Sequence, residues 1–230
     1  MIDHAPLFQD RAEAGRRLAD ALVALGSDSL GPAPLIYALP RGGVPVAFEI
    51  AKRLDAPLDL ALVRKIGAPG HPELALAAVV DGDQPHLLIN EGVRRATGAD
   101  DAYIERAQTR ELAEIERRRR VYFGGRPRPD PRGRTAIIVD DGLATGATAL
   151  AAVRSLRPKG AAKVILAVPV APPGAAAALR DKVDVFVCLA TPAAFRSVGE
   201  AYGDFHQLED REMLDFLADA QDFGARPDPD

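Results

Sequence analysis

The stretch of this sequence that says most about its fold is Ile137-Ile-Val-Asp140-Asp141-Gly142-Leu-Ala-Thr145-Gly146-Ala-Thr148. It passes from an apolar, strand-like run through two carboxylates and a glycine-rich turn into the start of a helical pattern. Ligands of open parallel sheets bind beyond the carboxyl ends of the strands. The helix N-terminus that follows offers free backbone N–H groups to a phosphate. Gly142 and Gly146 let the backbone approach such an anion closely, and Thr145 and Thr148 add hydroxyl donors.

The paired carboxylates narrow the choice of ligand. Asp140 and Asp141 would repel a phosphate placed directly on them, but both can accept hydrogen bonds from sugar hydroxyls beside it. The segment therefore predicts a ribose that carries a 5′-phosphate. An ordinary helix start with an acidic cap would explain one aspartate and one threonine. It would not explain both carboxylates, both glycines and both threonines within one turn.

Strands and helices alternate on both sides of this stretch, which predicts an α/β fold with a parallel sheet and helices on both faces. The predicted strands are 35–39, 58–63, 74–80, 87–90, 135–139, 163–168 and 185–189, and the predicted helices are 11–25, 44–54, 99–122, 146–156 and 173–183. We expect a single domain over residues 1–230. Within it we expect a helical insertion at about 91–131 and a C-terminal segment, 190–220, that packs near the site.

The stretch at 137–148 resembles the phosphoribosyl-pyrophosphate signature of the type I phosphoribosyltransferases. In that family two adjacent acids hold the ribose 2′ and 3′ hydroxyls, and the turn after them cradles the 5′-phosphate. The resemblance implies that the donor is bound by Asp140, Asp141, Gly142, Ala144, Thr145, Gly146, Ala147 and Thr148. Several 6-oxopurine enzymes of the family carry an acid near the base at the position of Ala144, so this residue departs from their pattern and is closer to the adenine-type one.

Two further segments agree with the resemblance. The turn Leu39-Pro-Arg41-Gly42-Gly43 follows the first predicted strand, where the family binds pyrophosphate through backbone amides and a basic side chain such as Arg41. The segment 64–73 is predicted as a Gly/Pro-rich loop and lies where the family has a mobile hood, to which Arg64 and Lys65 would belong. A plain strand-to-helix turn and an exposed surface loop are the respective alternatives.

The resemblance implies an enzyme that transfers 5-phosphoribosyl to a nitrogenous base and releases pyrophosphate. Asp140, Asp141, Lys65 and Arg41 would be its catalytic residues, and Glu73 and His71 are open candidates for an acid or base. Mg²⁺ would be bound through the substrate pyrophosphate, without a protein metal site. Nucleotide metabolism such as purine salvage is the expected context, and the acceptor base stays open. The alternative is a non-catalytic sensor of nucleotides or phosphoribosyl pyrophosphate, with RNA as one further ligand.

Composition and charge exclude several other classes. The net charge of −4 gives no general positive field for nucleic acid or a membrane surface. A lone cysteine, Cys188, suits a reducing compartment, and we expect a cytoplasmic protein. Dimers are common in the resembled family, which makes a homodimer the expected assembly. The stretch at 142–148 has no lysine after its second glycine, as a P-loop would, and no G-x-G-x-x-G follows a strand, which argues against a dinucleotide fold.

Two clusters of side chains have competing interpretations. The run Arg117–Arg120 could touch RNA, but the pairs Glu114–Arg118 and Glu116–Arg120 favour a solvated helix face. Phe195, Tyr202 and Phe205 could stack on an acceptor base, although simple packing of the C-terminal segment explains them equally well.

Overall fold

The computed structural model describes residues 5–81, 86–124 and 128–224. The helices are α1 (Arg11–Val23), α2 (Ser27–Leu30), α3 (Gly43–Leu54), α4 (Glu91–Thr97), α5 (Asp101–Phe123), α6 (Ala147–Leu156), α7 (Pro173–Arg180) and α8 (Asp210–Asp219). The strands are β1 (Leu35–Ala38), β2 (Leu58–Leu60), β3 (Val63–Ala68), β4 (His71–Val80), β5 (His86–Ile89), β6 (Thr135–Val139), β7 (Lys163–Val170) and β8 (Val185–Ala190).

The central sheet is parallel and has the order β2-β1-β6-β7-β8. This confirms the predicted α/β fold. Its inner strands β1, β6 and β7 are buried on both faces, as parallel strands covered by helices must be. Ile36 and Ile137 pack on the side of α1 and α3, whereas Tyr37 and Ile138 pack on the side of α6 and α7. Because side chains alternate along each strand, one apolar run supplies both cores.

The prediction of a loop at 64–73 is wrong, because these residues belong to the β-hairpin of β3 and β4. β3 and β4 pair antiparallel, and β5 pairs with β4 to complete a three-stranded sheet. The register shifts at Gly67, where an added Cβ would lie 2.6 Å from the Pro72 Cα. A glycine is therefore needed for the two strands to approach each other there.

The segment predicted as a helical insertion has two helices among its described residues, where one was predicted. α5 covers the predicted long helix, and α4 precedes it. Gly98, with φ of 66°, separates them in the left-handed conformation that ends many helices. The Asn90 side chain caps α4 by accepting from the Val93 N–H at 3.2 Å. Asn90 was predicted as the end of a strand, which hid its role as a cap.

The arginine run lies on an ion-paired helix face. Arg118 Nε is 2.8 Å from a Glu114 carboxylate oxygen, which confirms the predicted pair, and Glu116 pairs with Arg119 at 3.7 Å. Among the described residues, no helix is long and apolar enough to cross a membrane.

Candidate donor site at the sheet switch point

The two glycine-rich turns predicted to bind the donor lie side by side. β1 and β6 are adjacent parallel strands, and the chain leaves them toward opposite faces of the sheet, into α3 and α6. Such a switch point in the strand order opens a crevice at the carboxyl ends of the strands. The Leu39 N–H donates to the Val139 carbonyl at 2.8 Å, so the ladder continues to the last residue before each turn.

Close backbone approach explains the glycines of the first turn. A Cβ on Gly43 would lie 2.7 Å from the Val139 carbonyl oxygen, and one on Gly42 would overlap the Asp141 Oδ2. Neither position has room for a side chain. The Pro40–Arg41 peptide between β1 and α3 is cis.

The two aspartates differ in their partners. Asp140 Oδ1 accepts from the Asp141 N–H at 2.9 Å, and no cation contacts its side chain among the described residues. Burial and the neighbouring Asp141 charge raise the pKa of Asp140 well above its usual value. Burial also raises the pKa of Asp141, and Arg11 opposes that effect.

Arg11 is a site residue that the sequence did not reveal. Its Nε donates to the Asp141 Oδ2 at 2.9 Å, and the two side chains are only 9% and 13% exposed. Arg11 is the first residue of α1, and 130 positions separate it from Asp141. The one signal was its placement, since a cation in the first turn of a helix opposes the helix dipole.

The C-terminal segment reaches the same aspartate. The Tyr202 hydroxyl donates to the Asp141 carbonyl at 2.5 Å. Phe205 stacks on Tyr202 with ring centroids 5.1 Å apart, and the Arg11 guanidinium lies 3.9 Å from the Phe205 centroid. Two of the three predicted aromatic residues therefore pack beside the candidate donor site, and Phe195 packs against the cluster that contains Tyr202 and Val170.

The turn between β6 and α6 leads into the N-terminus of α6, where the first backbone N–H groups have no partner within the helix. Gly146, with φ of 75°, precedes the first residue of α6. Ala144, Thr145, Ala147 and Thr148 are all exposed. The side chain of Thr145 receives only a long contact of 3.4 Å from the Ala147 N–H. This arrangement can hold an anion at the helix N-terminus.

A cavity of about 420 Å³ opens between the three-stranded sheet and the first turns of α6. Its polar lining consists of Lys65, Asn90, Glu91, Thr148 and Arg154. Lys65 therefore faces the end of α6 that carries the exposed threonine and free amides.

The three predicted pyrophosphate-binding cations are each paired with a carboxylate. Arg41 lies 3.8 Å from Asp210, and Lys65 lies 3.1 Å from Glu73. Arg64 is on the opposite face of β3 from Lys65 and pairs with Glu111 of α5 at 2.8 Å. The structure thus brings Lys65 to the cavity and directs Arg64 toward the insertion. His71 begins β4 and borders a shallow cleft with Glu73 and Ala96.

A second cavity, of about 700 Å³, lies beyond the end of β7. Val170 lines it, and the Val170 carbonyl accepts from the Leu143 N–H at 2.9 Å. The cavity therefore adjoins the turn between β6 and α6, which we call the donor turn. Phe195, Arg196 and Glu200 supply an aromatic ring and two charges to its lining.

Within residues 5–81, 86–124 and 128–224, no group of three or more His, Cys, Asp or Glu side chains could hold a metal ion. The aspartate pair alone is too small a ligand set for a protein cage. It is compatible with Mg²⁺, which commonly binds through substrate phosphates, water and one or two carboxylates.

Fold and site together define an α/β domain in which two glycine-rich turns and an aspartate pair meet at a parallel-sheet switch point. The chain belongs to the family described as the phosphoribosyl transferase domain, whose model matches residues 31–202. The matched range contains both turns and the hairpin.

Two kinds of relatives resemble the chain over nearly its whole length. The crystal structure of TT1426 from Thermus thermophilus is 42% identical, with a TM-score of 0.79, and the match covers 92% of this chain and 98% of that one. Two strains of Mycobacterium tuberculosis have proteins named "Putative phosphoribosyl transferase", each 47% identical over 211 residues. The match covers 92% of this chain and 46% of theirs, so this chain spans about half the length of those curated relatives.

Proposed function

We propose that this chain transfers 5-phosphoribosyl from phosphoribosyl pyrophosphate to a nitrogenous base and releases pyrophosphate. The observation that carries the proposal is the meeting of the Pro40–Gly43 turn, the Asp140–Asp141 pair and the N-terminus of α6 at one switch point. A protein that bound phosphate alone would need only the N-terminus of α6. The adjacent carboxylates and the second turn require a ligand with hydroxyls and a further anionic group.

The proposed roles follow from the chemistry of each part. Asp140 and Asp141 accept hydrogen bonds from the ribose hydroxyls, and the turn from Gly142 to Thr148 holds the 5′-phosphate through its amides and hydroxyls. Arg41 and Lys65 face the departing pyrophosphate and would exchange their carboxylate partners for it. Mg²⁺, bound with the donor's own oxygens, would add positive charge beside the leaving group.

The transfer itself breaks one bond and forms another. The C1–O bond breaks and its electron pair leaves with pyrophosphate, while a nitrogen lone pair of the base forms the new C1–N bond. The nitrogen then loses its proton to solvent or to a side chain. The protein's part is to position the two reactants and to stabilise the charge that develops between them.

We assign the acceptor to the cavity beyond β7. It adjoins the donor turn through Val170 and offers the Phe195 ring as a stacking surface. Purines, pyrimidines and pyridine carboxylates all have a flat face for such a ring. Arg196 and Glu200 border the same cavity and would select among them by charge.

The test is turnover of labelled phosphoribosyl pyrophosphate with Mg²⁺ and a panel of these bases. We expect base-dependent pyrophosphate release that falls by about a hundredfold or more in Asp140→Asn. Asp130→Asn is the matched control, because that exposed aspartate pairs with Arg132 at 3.8 Å and accepts from the Arg132 N–H at 3.0 Å, away from the two turns. Release that is unchanged in Asp140→Asn would contradict the assigned role.

The same experiment separates the enzyme from a ligand sensor. If the wild type binds phosphoribosyl pyrophosphate in a calorimeter but releases no pyrophosphate with any base, a non-catalytic sensor is the better description. RNA affinity, measured in parallel, would then be the next property to establish.

A further inference from the structure

Arg11 joins three parts of the molecule that are distant in sequence. The Arg11 Nε donates to the Asp141 carboxylate, and its Nη1 donates to the His206 carbonyl at 3.0 Å. The guanidinium also covers the Phe205 ring. The C-terminal segment returns to Asp141 through the Tyr202 hydroxyl. Arg11, Phe205, Tyr202 and Asp141 therefore form a closed circuit of contacts, which we call the Arg11 latch.

The backbone around the latch is fixed as well. The Phe8 N–H donates to the Ala201 carbonyl at 2.9 Å, and the Gly203 N–H donates to the Phe8 carbonyl at 2.8 Å. The entry to α1 thus lies beside the C-terminal segment before any side chain is considered. Arg11 follows directly and has little freedom to leave the Asp141 carboxylate.

The placement of Arg11 opposes its local preferences. A cation in the first turn of a helix is disfavoured by the helix dipole. The side chain is also almost completely buried, at 9% exposed, which is unusual for arginine. Burial of a guanidinium requires a carboxylate partner, and Asp141 is that partner.

The latch includes residues inside and outside the range that the family model matches. Asp141 and Tyr202 lie within the matched range of 31–202, whereas Arg11 and Phe205 lie outside it. The two segments of this chain that flank the family match thus meet on a residue of the donor turn.

We propose that Arg11 is a positioning residue that makes the donor carboxylate Asp141 and the C-terminal segment 201–206 order together. Arg11 fixes one Asp141 oxygen and leaves the carboxylate in a single orientation toward the switch-point crevice. Because the same guanidinium holds Phe205 and His206, the segment beside the donor site cannot loosen without releasing Asp141. The consequence for donor binding rests on the proposed function, whereas the structural coupling does not.

The coupling is tested without any ligand, by a double-mutant cycle read out by amide hydrogen exchange. Arg11→Met and Asp141→Asn should each speed exchange of the amides of Tyr202, Gly203 and Asp204 by about tenfold, and the double variant should add little beyond either one. Arg17→Met is the matched control. Arg17 lies on the same helix, covers the Phe8 ring at 4.7 Å and donates to the Leu7 carbonyl, but it does not contact Asp141.

The effect of Arg11 on donor binding is tested by affinity measurements and steady-state kinetics. Arg11→Met should raise the Kd and KM for phosphoribosyl pyrophosphate by about tenfold and change kcat less, because an oriented carboxylate holds the ribose in ground state and transition state alike. Arg11→Lys keeps the charge but loses the flat, forked geometry, so it should recover part of the affinity. Arg17→Met should behave as the wild type.

The outcomes separate the two proposals. Additive exchange effects in the double variant, or a donor Kd in Arg11→Met within about twofold of the wild type, would overturn the positioning role. If the wild type binds no phosphoribosyl pyrophosphate, the proposed function fails and the exchange cycle still decides whether Arg11 couples the two segments. If Arg11→Met does not fold, Arg11→Lys is used for the cycle.

Discussion

Gly42 is a residue of the candidate donor site where an added side chain would meet Asp141 directly. A Cβ there would overlap the Asp141 Oδ2, so Gly42→Ala must displace the carboxylate or the turn. We expect a loss of donor affinity of about tenfold or more, because the displaced carboxylate no longer meets the ribose. Calorimetric titration of phosphoribosyl pyrophosphate measures this.

Gly174→Ala is the control for that substitution. Nothing lies within 4 Å of a Cβ at this position in α7, so alanine should leave donor binding unchanged and slightly raise the melting temperature. Equal losses of affinity in both variants would show that the Asp141 contact is not the cause.

The two aspartates should respond to amidation with opposite changes in stability. Burial and Asp141 raise the pKa of Asp140, so the folded protein holds that proton more tightly than the unfolded chain does. Stability from this group is present at low pH and is lost as the pH rises through the raised pKa. Asp140→Asn should therefore stabilise the free protein at pH 7 by roughly 1 kcal/mol, and the gain should shrink as the pH falls toward about 4.

Asp141→Asn should act in the other direction, although burial raises the pKa of Asp141 as well, because we expect the loss of the buried Arg11 ion pair to outweigh the relief of burying a carboxylate. It leaves the buried Arg11 guanidinium without its carboxylate, at an expected cost of about 2 kcal/mol in the free energy of unfolding. Urea unfolding of both variants across this pH range measures the two effects. A shift of the same sign in both would mean that the electrostatic environments of the pair are not as different as their contacts indicate.

At the scale of elements, the sequence predicted a helix or strand correctly where a single residue pattern covers the whole element. β6 is observed at its predicted bounds, since its run of apolar residues ends abruptly in Asp140. The hairpin was missed because Gly67, Pro69, Gly70 and Pro72 interrupt the strand pattern. The ladder between β3 and β4 overcomes these local preferences, and a propensity scale contains no information about that pairing.

The same limit applies to the candidate site. The aspartate pair and both glycine-rich turns were readable because each is a contiguous pattern next to a strand. Arg11 was not, since it lies 130 positions from Asp141 and meets it only in the folded chain. Tyr202 was named as an aromatic candidate, but the contact of its hydroxyl with the Asp141 carbonyl, 61 positions away, was not predicted. The periodicity that predicted α1 says which of its faces is buried but not which carboxylate its first residue meets.

The hairpin gives a prediction about its two adjacent cations. Lys65 faces the cavity beside Thr148, so Lys65→Ala should lower kcat/KM for the donor by about tenfold or more with little change in melting temperature. Arg64 faces α5, so Arg64→Ala should cost about 1 kcal/mol of stability through the lost Glu111 pair and affect the donor less. Steady-state kinetics and thermal melts on both variants check this. A larger kinetic loss in Arg64→Ala would place Arg64 at the pyrophosphate instead.

At the scale of the whole molecule, one partly buried arginine links the two sheets. Arg128 Nε donates to Asp59 of β2 at 3.0 Å, and its Nη1 donates to Asp81, the residue after β4, at 2.6 Å. The two carboxylates are only 3% and 2% exposed. The parallel sheet and the three-stranded sheet are thus joined by ion pairs at the base of the hairpin that carries Lys65.

Removal of this link should destabilise the protein more than any surface change. Arg128→Met leaves two carboxylates buried with weaker compensation, and we expect a loss of about 3 kcal/mol in the free energy of unfolding measured with urea at pH 7. Arg132→Met is the control, since its 80% exposed side chain pairs with the exposed Asp130 and should change stability by less than about 0.5 kcal/mol. Addition of Asp59→Asn and Asp81→Asn to Arg128→Met should recover much of the loss, because no unpaired charge then stays buried. If the triple variant is less stable than Arg128→Met alone, the hydrogen bonds around the carboxylates, rather than their charge, hold the two sheets together.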